Sequence, residues 1–290
     1  MGKTSETNEM RDTTAPLTGD DAAAVTQAVE DNMAAAHIST ARRLGGTIHD
    51  SPDLLWALTN TGILPFNTII RTRWPDEPPE ALRERIAATL APYRAAGRAA
   101  LWWRWPSSRP TTLGDALVDY GLRFRGEGPG MATLLRDLPA LATLPLPNDL
   151  TLDEVSDMDS MRDWLDVSML VYRGAEKPAT PEEHAAEARI GIGAQLPSRR
   201  WLARLAGVPV GTASIFLGAG VVGLYNVTTL PEARGQGIGT AVTLAALAAA
   251  RDAGYHVAVL QSSPMGFPVY TRLGFREVCR IQSYVWQPGT

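Results

Sequence analysis

Alanine and apolar positions recur at helical spacing over residues 21–36. Two β-rich runs follow at 54–59 and 67–73, ended by the joint Trp74-Pro75-Asp76-Glu77-Pro78-Pro79. Residues 80–96 read as a helix, kinked at Pro92 and closed by Gly97. An aromatic strand is expected at 99–105, a short helix capped by Thr111 or Thr112 and ending near Gly121, and another strand at 131–136. Residues 138–148 carry Pro139, Pro145 and Pro147 and read as a linker.

A second series begins beyond it. Strands are expected at 150–155, 200–206, 210–217, 221–230, 256–261 and 275–286. Helices are expected at 158–172, 181–190, 239–253 and 267–273, the last two stopped by Gly254 and Gly274. The class is α/β of the α+β kind, each half mixing strands and helices; two tandem units with a mixed, mostly antiparallel central sheet flanked by helices are what the family resemblance given below implies. The expected division is a flexible tail at 1–20, a first domain at 21–137, the linker at 138–148 and a second domain at 149–290.

The halves echo one another. Pro79-Glu80-Ala81, a helix and Arg94-Ala95-Ala96-Gly97 correspond to Pro231-Glu232-Ala233, a helix and Arg251-Asp252-Ala253-Gly254. Tyr120-Gly121-Leu122 then matches Leu273-Gly274-Phe275. From proline to helix-ending glycine the first copy is five residues shorter, and the missing piece falls where the second has its glycines. A duplicated unit that lost a loop accounts for this.

Composition narrows the partners. Lysine and arginine total 27 against 31 acids, a net charge of -4 without a basic stripe, so nucleic acid is not an expected partner. The single cysteine, Cys279, can form no internal disulfide and belongs to no zinc-ligand cluster, which fits a cytoplasmic location. The polar first twenty residues lack the apolar centre of a secretory signal. Residues 205–230 hold no charge and are long enough to cross a bilayer, but Gly207, Pro209, Gly211, Gly218, Gly220 and Gly223 interrupt them. Antiparallel strands turning at Gly207-Val208-Pro209 and Gly218-Ala219-Gly220 are expected there, and no membrane contact.

Between the strand at 221–230 and the next helix stands Arg234-Gly235-Gln236-Gly237-Ile238-Gly239. Its glycines let the backbone approach a ligand closely. The helix start offers unpartnered N–H groups and the positive end of a dipole, a setting for a pyrophosphate, with Arg234 at the rim. The spacing is not that of the dinucleotide fingerprint, and the Gly-Lys-Ser/Thr of a P-loop is absent.

This stretch resembles the acetyl-coenzyme A loop of the GNAT family of N-acetyltransferases, whose signature is Arg/Gln-x-x-Gly-x-Gly/Ala. Val227-Thr228-Thr229-Leu230-Pro231 is similar to the preceding family strand, and Ser263 to Tyr270 followed by Leu273-Gly274-Phe275 resembles the second landmark. The resemblance covers residues 150–286, and the first half looks like a degenerate copy without the loop. It implies acetyl-CoA as co-substrate, with no metal. Arg234, Gly235, Gln236, Gly237, Ile238, Gly239 and Thr240 would surround the pyrophosphate. Val227, Thr228, Thr229 and Ser263 would meet the pantetheine arm, and Tyr270 would protonate the leaving thiolate, as a phenol with pKa near 10 can. The implied reaction is direct attack of a neutral primary amine of a small molecule within a ternary complex. Tyr172, Trp201, Tyr225 and Asn226 would border the acceptor, and a homodimer is the expected self-association.

The pattern departs from the family at one point. Many members place a carboxylate nine positions before the motif arginine, and here that position is Tyr225. A water chain, Glu176 or Glu187 could deprotonate the amine instead. An acyl-CoA-binding sensor without turnover, and an acetyltransferase of protein or peptide amines, are the competing readings.

Other constellations carry less. His49-Asp50-Ser51 holds the residue types of a hydrolase triad, but neighbours on a strand face opposite ways. Glu183, His184 and Glu187 share a helix with no further ligand in view, which suits a solvated face. Trp103 and Trp105 should share one face of their strand, with Trp102 on the other, as core and domain interface. Arg173 lies in the acceptor-lining segment, where ordinary packing is an equal reading. Cys279, in a strand far from any histidine, is a poor nucleophile.

Overall fold

The computed structural model describes residues 15–19, 21–174 and 177–289. The first half runs α1 (Ala22–Arg43), β1 (Thr47–Asp50), β2 (Leu54–Leu58), β3 (Thr68–Thr72), α2 (Pro79–Ala95), β4 (Ala100–Arg104), α3 (Leu113–Tyr120) and β5 (Arg123–Leu134). The second runs β6 (Leu150–Glu154), α4 (Met158–Arg173), α5 (Pro181–Ile190), β7 (Ser198–Leu205), β8 (Val208–Gly218), β9 (Val221–Thr229), α6 (Ile238–Asp252), β10 (Val257–Gln261), α7 (Phe267–Arg272) and β11 (Arg276–Trp286).

Three elements differ from the sequence pattern. Helix α1 continues past Ala36 to Arg43, because packing on the sheet overrides the weak helix formers His37 to Thr40. Strand β1 is a short, mostly exposed edge without an apolar signal. Strand β5 starts at Arg123 rather than 131, since Gly126, Gly128, Pro129 and Gly130 mask it in sequence. The glycine at 130 is needed for packing: a β-carbon there would stand 2.5 Å from the Cys279 sulfur. Thr112 does stand before α3, but its side chain makes no capping bond.

The uncharged stretch forms β8 and β9, as the glycines foretell. Positive φ at Ala206 and Gly207, and again at Ala219 and Gly220, turns both hairpins tightly. Among the described residues no helix is long and apolar enough to cross a membrane.

All eleven strands join one sheet, ordered β1-β2-β3-β4-β11-β5-β10-β9-β8-β7-β6. The pairs β3–β4 and β9–β10 are parallel, bridged by α2 and α6, and the other pairs are antiparallel. The last strand of each half is exchanged: β11 lies between β4 and β5, and β5 between β11 and β10. A single sheet therefore runs through both halves of the chain.

Helix α6 covers one face of the second half, packing Val242, Leu244 and Leu247 with Ile215, Leu224 and Leu260. On the first half, α2 and α3 bury Ile86, Leu90 and Leu117 with Trp102 and Tyr284. Helix α1 sets Val25, Val29 and Met33 among Val257, Val259 and Ile281. Trp102 therefore packs with α2, whereas Trp103 and Trp105 belong with α1, their rings 6.4 Å apart.

Candidate active site

Strands β9 and β10 pair only from Val222 to Leu224, opposite Ala258 to Leu260. Beyond Leu224 the ladder stops, and β9 continues to Thr229 with that edge open. A bulge begins there: between Thr212 and Ser214 the β8–β9 register shifts, setting Asn226 and Val227 against Ala213 alone. Asn226 takes φ +50. The Thr212 hydroxyl donates to its carbonyl at 2.8 Å, and its own amide donates to the Ser214 hydroxyl at 3.2 Å. The bend turns β9 away from β10 and leaves a wedge at the strand ends.

The glycine loop closes the wide end of the wedge. Gly235 and Gly237 both take φ +78, and Gly237 is the N-cap of α6 with no side-chain capping bond. The first amides of α6 therefore stay available to an anion. Gly239 leaves room that a β-carbon would fill, 3.2 Å from the Thr229 hydroxyl. Arg234 donates through Nε to the Thr229 carbonyl at 3.1 Å, bracing the strand end against the loop.

The linker is part of this site. Leu138, Leu141 and Leu144 pack against the α6 core, and Leu144 to Pro147 form one wall of a cavity of about 590 Å³. Gly235, Gln236, Gly237 and Thr240 form the other. A β-carbon on Gly237 would stand 3.3 Å from Leu146. Prolines alone mark residues 138–148 as a linker; leucines at every third position are the signal that the segment docks.

Tyr270 is buried on α7, its ring edge-on to Phe275 at 5.6 Å. Burial, and then the nearby Tyr172, raise its pKa above the ordinary tyrosine value. The Tyr172 hydroxyl donates to Oδ1 of Asn226 at 3.3 Å from an exposed position at the end of α4. The structure thus gathers Tyr172, Asn226 and Tyr270 around the wedge. Ser263 accepts from the Gly266 amide at 3.1 Å and anchors the start of α7.

Two expected acceptor residues face elsewhere. Trp201 lies in the core with Val210 and Ala213, and Arg199 stacks over it at 5.1 Å. The Tyr225 hydroxyl donates to Asn32 of α1 at 2.7 Å, and burial raises its pKa, so it is neither base nor open contact. Among the suggested bases, Glu187 is held by Arg200 at 2.6 Å, and Glu176 lies outside the described residues. Glu183 pairs with Arg173 and joins Thr180 in a capping box. Cys279 is buried and raised to about 11, unsuited to act as a thiolate. Ser51 lies 3.3 Å from His49, but Asp50 turns to Arg71 at 2.8 Å, so no triad assembles.

The first half has the matching wedge, and its own chain fills it. Strands β3 and β4 pair only at Thr68–Leu101 and Ile69–Trp102. Arg109 then takes the vacated edge, its amide donating to the Thr72 carbonyl at 2.9 Å and its carbonyl accepting from Trp74 at 3.1 Å. Trp102 adds a bond from Nε1 to the Thr72 hydroxyl at 3.0 Å.

Residues 158–275 match the model of the acetyltransferase (GNAT) family. A GCN5-related N-acetyltransferase from Kribbella flavida shares the fold at TM-score 0.62 and 19% identity, over 89% of this chain and 96% of that one. A functionally unknown conserved protein from Staphylococcus epidermidis does so at 0.64 and 15%, over 84% and 95%. A tandem GNAT protein from the clavulanic acid biosynthesis pathway aligns at 0.55 and 15%, over 95% and 98%. No curated protein matches the sequence.

Proposed function

We propose, with residues 158–275 a GNAT acetyltransferase domain, that this protein transfers an acetyl group from acetyl-CoA to a primary amine of a small molecule. The observation that carries the reading is the β9–β10 ladder ending at Leu224 beside a helix start whose N-cap makes no side-chain bond. An open strand edge suits an extended pantetheine arm, and free amides suit its pyrophosphate. The glycines at 235, 237 and 239 keep that approach clear of β-carbons.

In this reading the backbone around Val227 and Thr229 holds the arm, and an amide on the same edge polarises the thioester carbonyl. A neutral amine forms the new N–C bond as the C–S bond breaks, and its proton leaves to solvent. Tyr270 gives its proton to the departing sulfur and regains one from solvent. With Glu187 held by Arg200, the amine is read as arriving neutral or losing its proton to water. The chemistry then rests on positioning two bound molecules. The domain division follows the same logic: the second half catalyses, and the first completes the sheet and the acceptor side.

The ion-paired acids also favour a second reading, an acyl-CoA-binding sensor. Calorimetry with acetyl-CoA and thiol release over a panel of amines separate the two. Binding with turnover supports the transferase, binding without turnover on any amine supports the sensor, and no binding removes both.

A further inference from the structure

The bend of β9 turns on Asn226, and three side chains hold that residue. Its carbonyl accepts from the Thr212 hydroxyl at 2.8 Å. Its side chain donates to Ser214 at 3.2 Å and accepts from Tyr172 at 3.3 Å. A φ of +50 is one that residues with a β-carbon seldom keep without such support. Of these three bonds, the one from Thr212 is made to the main chain.

Thr212 is fully buried and stands at the centre of a cluster of hydroxyls. The Thr228 hydroxyl lies 2.6 Å from it across the β8–β9 ladder, and that of Ser168 on α4 lies 3.2 Å away. A hydroxyl has one proton to give, and a carbonyl can only accept. The Thr212 proton therefore goes to Asn226, while Thr228 and Ser168 both donate to Thr212. Donors arranged in such a chain strengthen the last bond. Ala213, opposite the bulge, accepts through its carbonyl from Nε1 of Trp164 on α4 at 3.1 Å.

The bond from Thr212 decides where the next amide points. The Asn226–Val227 peptide is trans, so its C=O and N–H point in opposite directions. With the carbonyl drawn to β8, the Val227 N–H turns to the other edge, where β10 no longer pairs. The chain beyond agrees. Leu230 donates its amide to Val210 of β8 at 2.9 Å, and alternation then sends the main-chain groups of Thr229 and Val227 to the open edge. Arg234 meets the Thr229 carbonyl at 3.1 Å.

We infer that Thr212 is a positioning residue for the acyl transfer: its hydroxyl locks the Asn226–Val227 peptide so that the Val227 N–H faces the thioester carbonyl. The inference rests on the transferase reading. As the amine adds, negative charge gathers on the thioester oxygen. An amide aimed there in advance lowers the barrier more than it tightens binding. Without the hydroxyl, Asn226 relaxes toward extended backbone and the N–H swings out of line.

Thiol release from acetyl-CoA is followed on the amine that turns over fastest. Thr212→Val keeps the shape and removes the proton, and kcat should fall at least about tenfold. The acetyl-CoA dissociation constant by calorimetry should stay within about threefold. Thr212→Ser restores the hydroxyl and should bring kcat back to within about threefold of the wild type. Infrared difference spectra with acetyl-CoA carrying 13C at the thioester carbonyl give a readout that packing alone would not move. Bound to the wild type, that carbonyl should absorb at lower frequency than in free acetyl-CoA, and Thr212→Val should lose most of the shift. Unchanged turnover in Thr212→Val, no rescue by serine, or a fall in kcat with the infrared shift retained would each overturn the inference. So would a wild-type spectrum without the shift, a test that stands even where Thr212→Val fails to fold. Acetyl-CoA binding without turnover of any amine would instead remove the transferase reading, and this inference with it.

Discussion

The Tyr225 hydroxyl and the Asn32 side chain meet at 2.7 Å, tying the first helix of the chain to the strand that opens the site in the second half. Asn32 is fully buried and donates to the carbonyls of Phe216, Gly218 and Val221 as well. Asn32→Ala removes all four bonds and leaves buried groups unpaired, at roughly 1–3 kcal/mol for each group that water cannot reach. Urea unfolding should show a loss of at least about 2 kcal/mol. Tyr225→Phe should cost about 1–2 kcal/mol and change kcat less than threefold, because the phenol is a strut. A large kcat loss with stability intact would return Tyr225 to the chemistry.

Tyr270→Phe keeps the ring packing against Phe275 and removes the proton donor. The expected fall in kcat is about a hundredfold or more, with acetyl-CoA affinity unchanged. Burial raises the Tyr270 pKa, so the neutral donor form persists as pH rises past the ordinary value of about 10. The rate should climb with pH as the amine loses its proton and show no descending limb below about pH 10. A decline between pH 8 and 10, absent in Tyr270→Phe, would contradict the raised pKa.

Gly237 has positive φ, and Leu146 faces it across the loop. Gly237→Ala adds about 1–2 kcal/mol of backbone strain and crowds the linker. The loop relieves that strain by leaving its φ +78 conformation, and acetyl-CoA should then bind about tenfold more weakly, a binding loss of about 1.4 kcal/mol. Calorimetry reads this directly, and unchanged affinity would remove the loop from the pyrophosphate site.

With Arg109 hydrogen-bonded along the β3 edge, the first half offers no open wedge. Titration calorimetry should therefore find one acetyl-CoA per chain. A second equivalent surviving Gly237→Ala would place a ligand in the first half and overturn this account of its degeneracy.

Burial lowers the His37 pKa to about 4, against an ordinary value near 6.5, despite a bond to the Pro65 backbone. Between those values the unfolded chain binds the proton and the folded chain does not. Stability should therefore decline as pH falls from about 6.5 to 4. Melting curves over that range should be flatter for His37→Gln than for the wild type, and parallel curves would count against a neutral buried His37.

Local chemistry wrote much of this protein in its sequence. Helix-ending Gly97, Gly121, Gly254 and Gly274 all take positive φ, a demand that any one of them states alone. The turn at Arg234–Gly239, the strand before it and the short helix that carries Tyr270 were equally legible, because tight turns and helix starts depend on few neighbouring residues. Non-local pairing was hidden. Nothing near β5 or β11 reveals that each crosses to the other half, since strand partners are chosen by packing across the whole sheet. The same holds for Tyr225, whose hydroxyl is claimed by a helix far back in the chain, and for Arg109, which closes the first wedge. Leu144 to Pro147 became a wall only once leucines behind them found α6. Short-range backbone needs are fixed by residue type; long-range contacts are decided by which surfaces remain to be buried when all elements compete for one core.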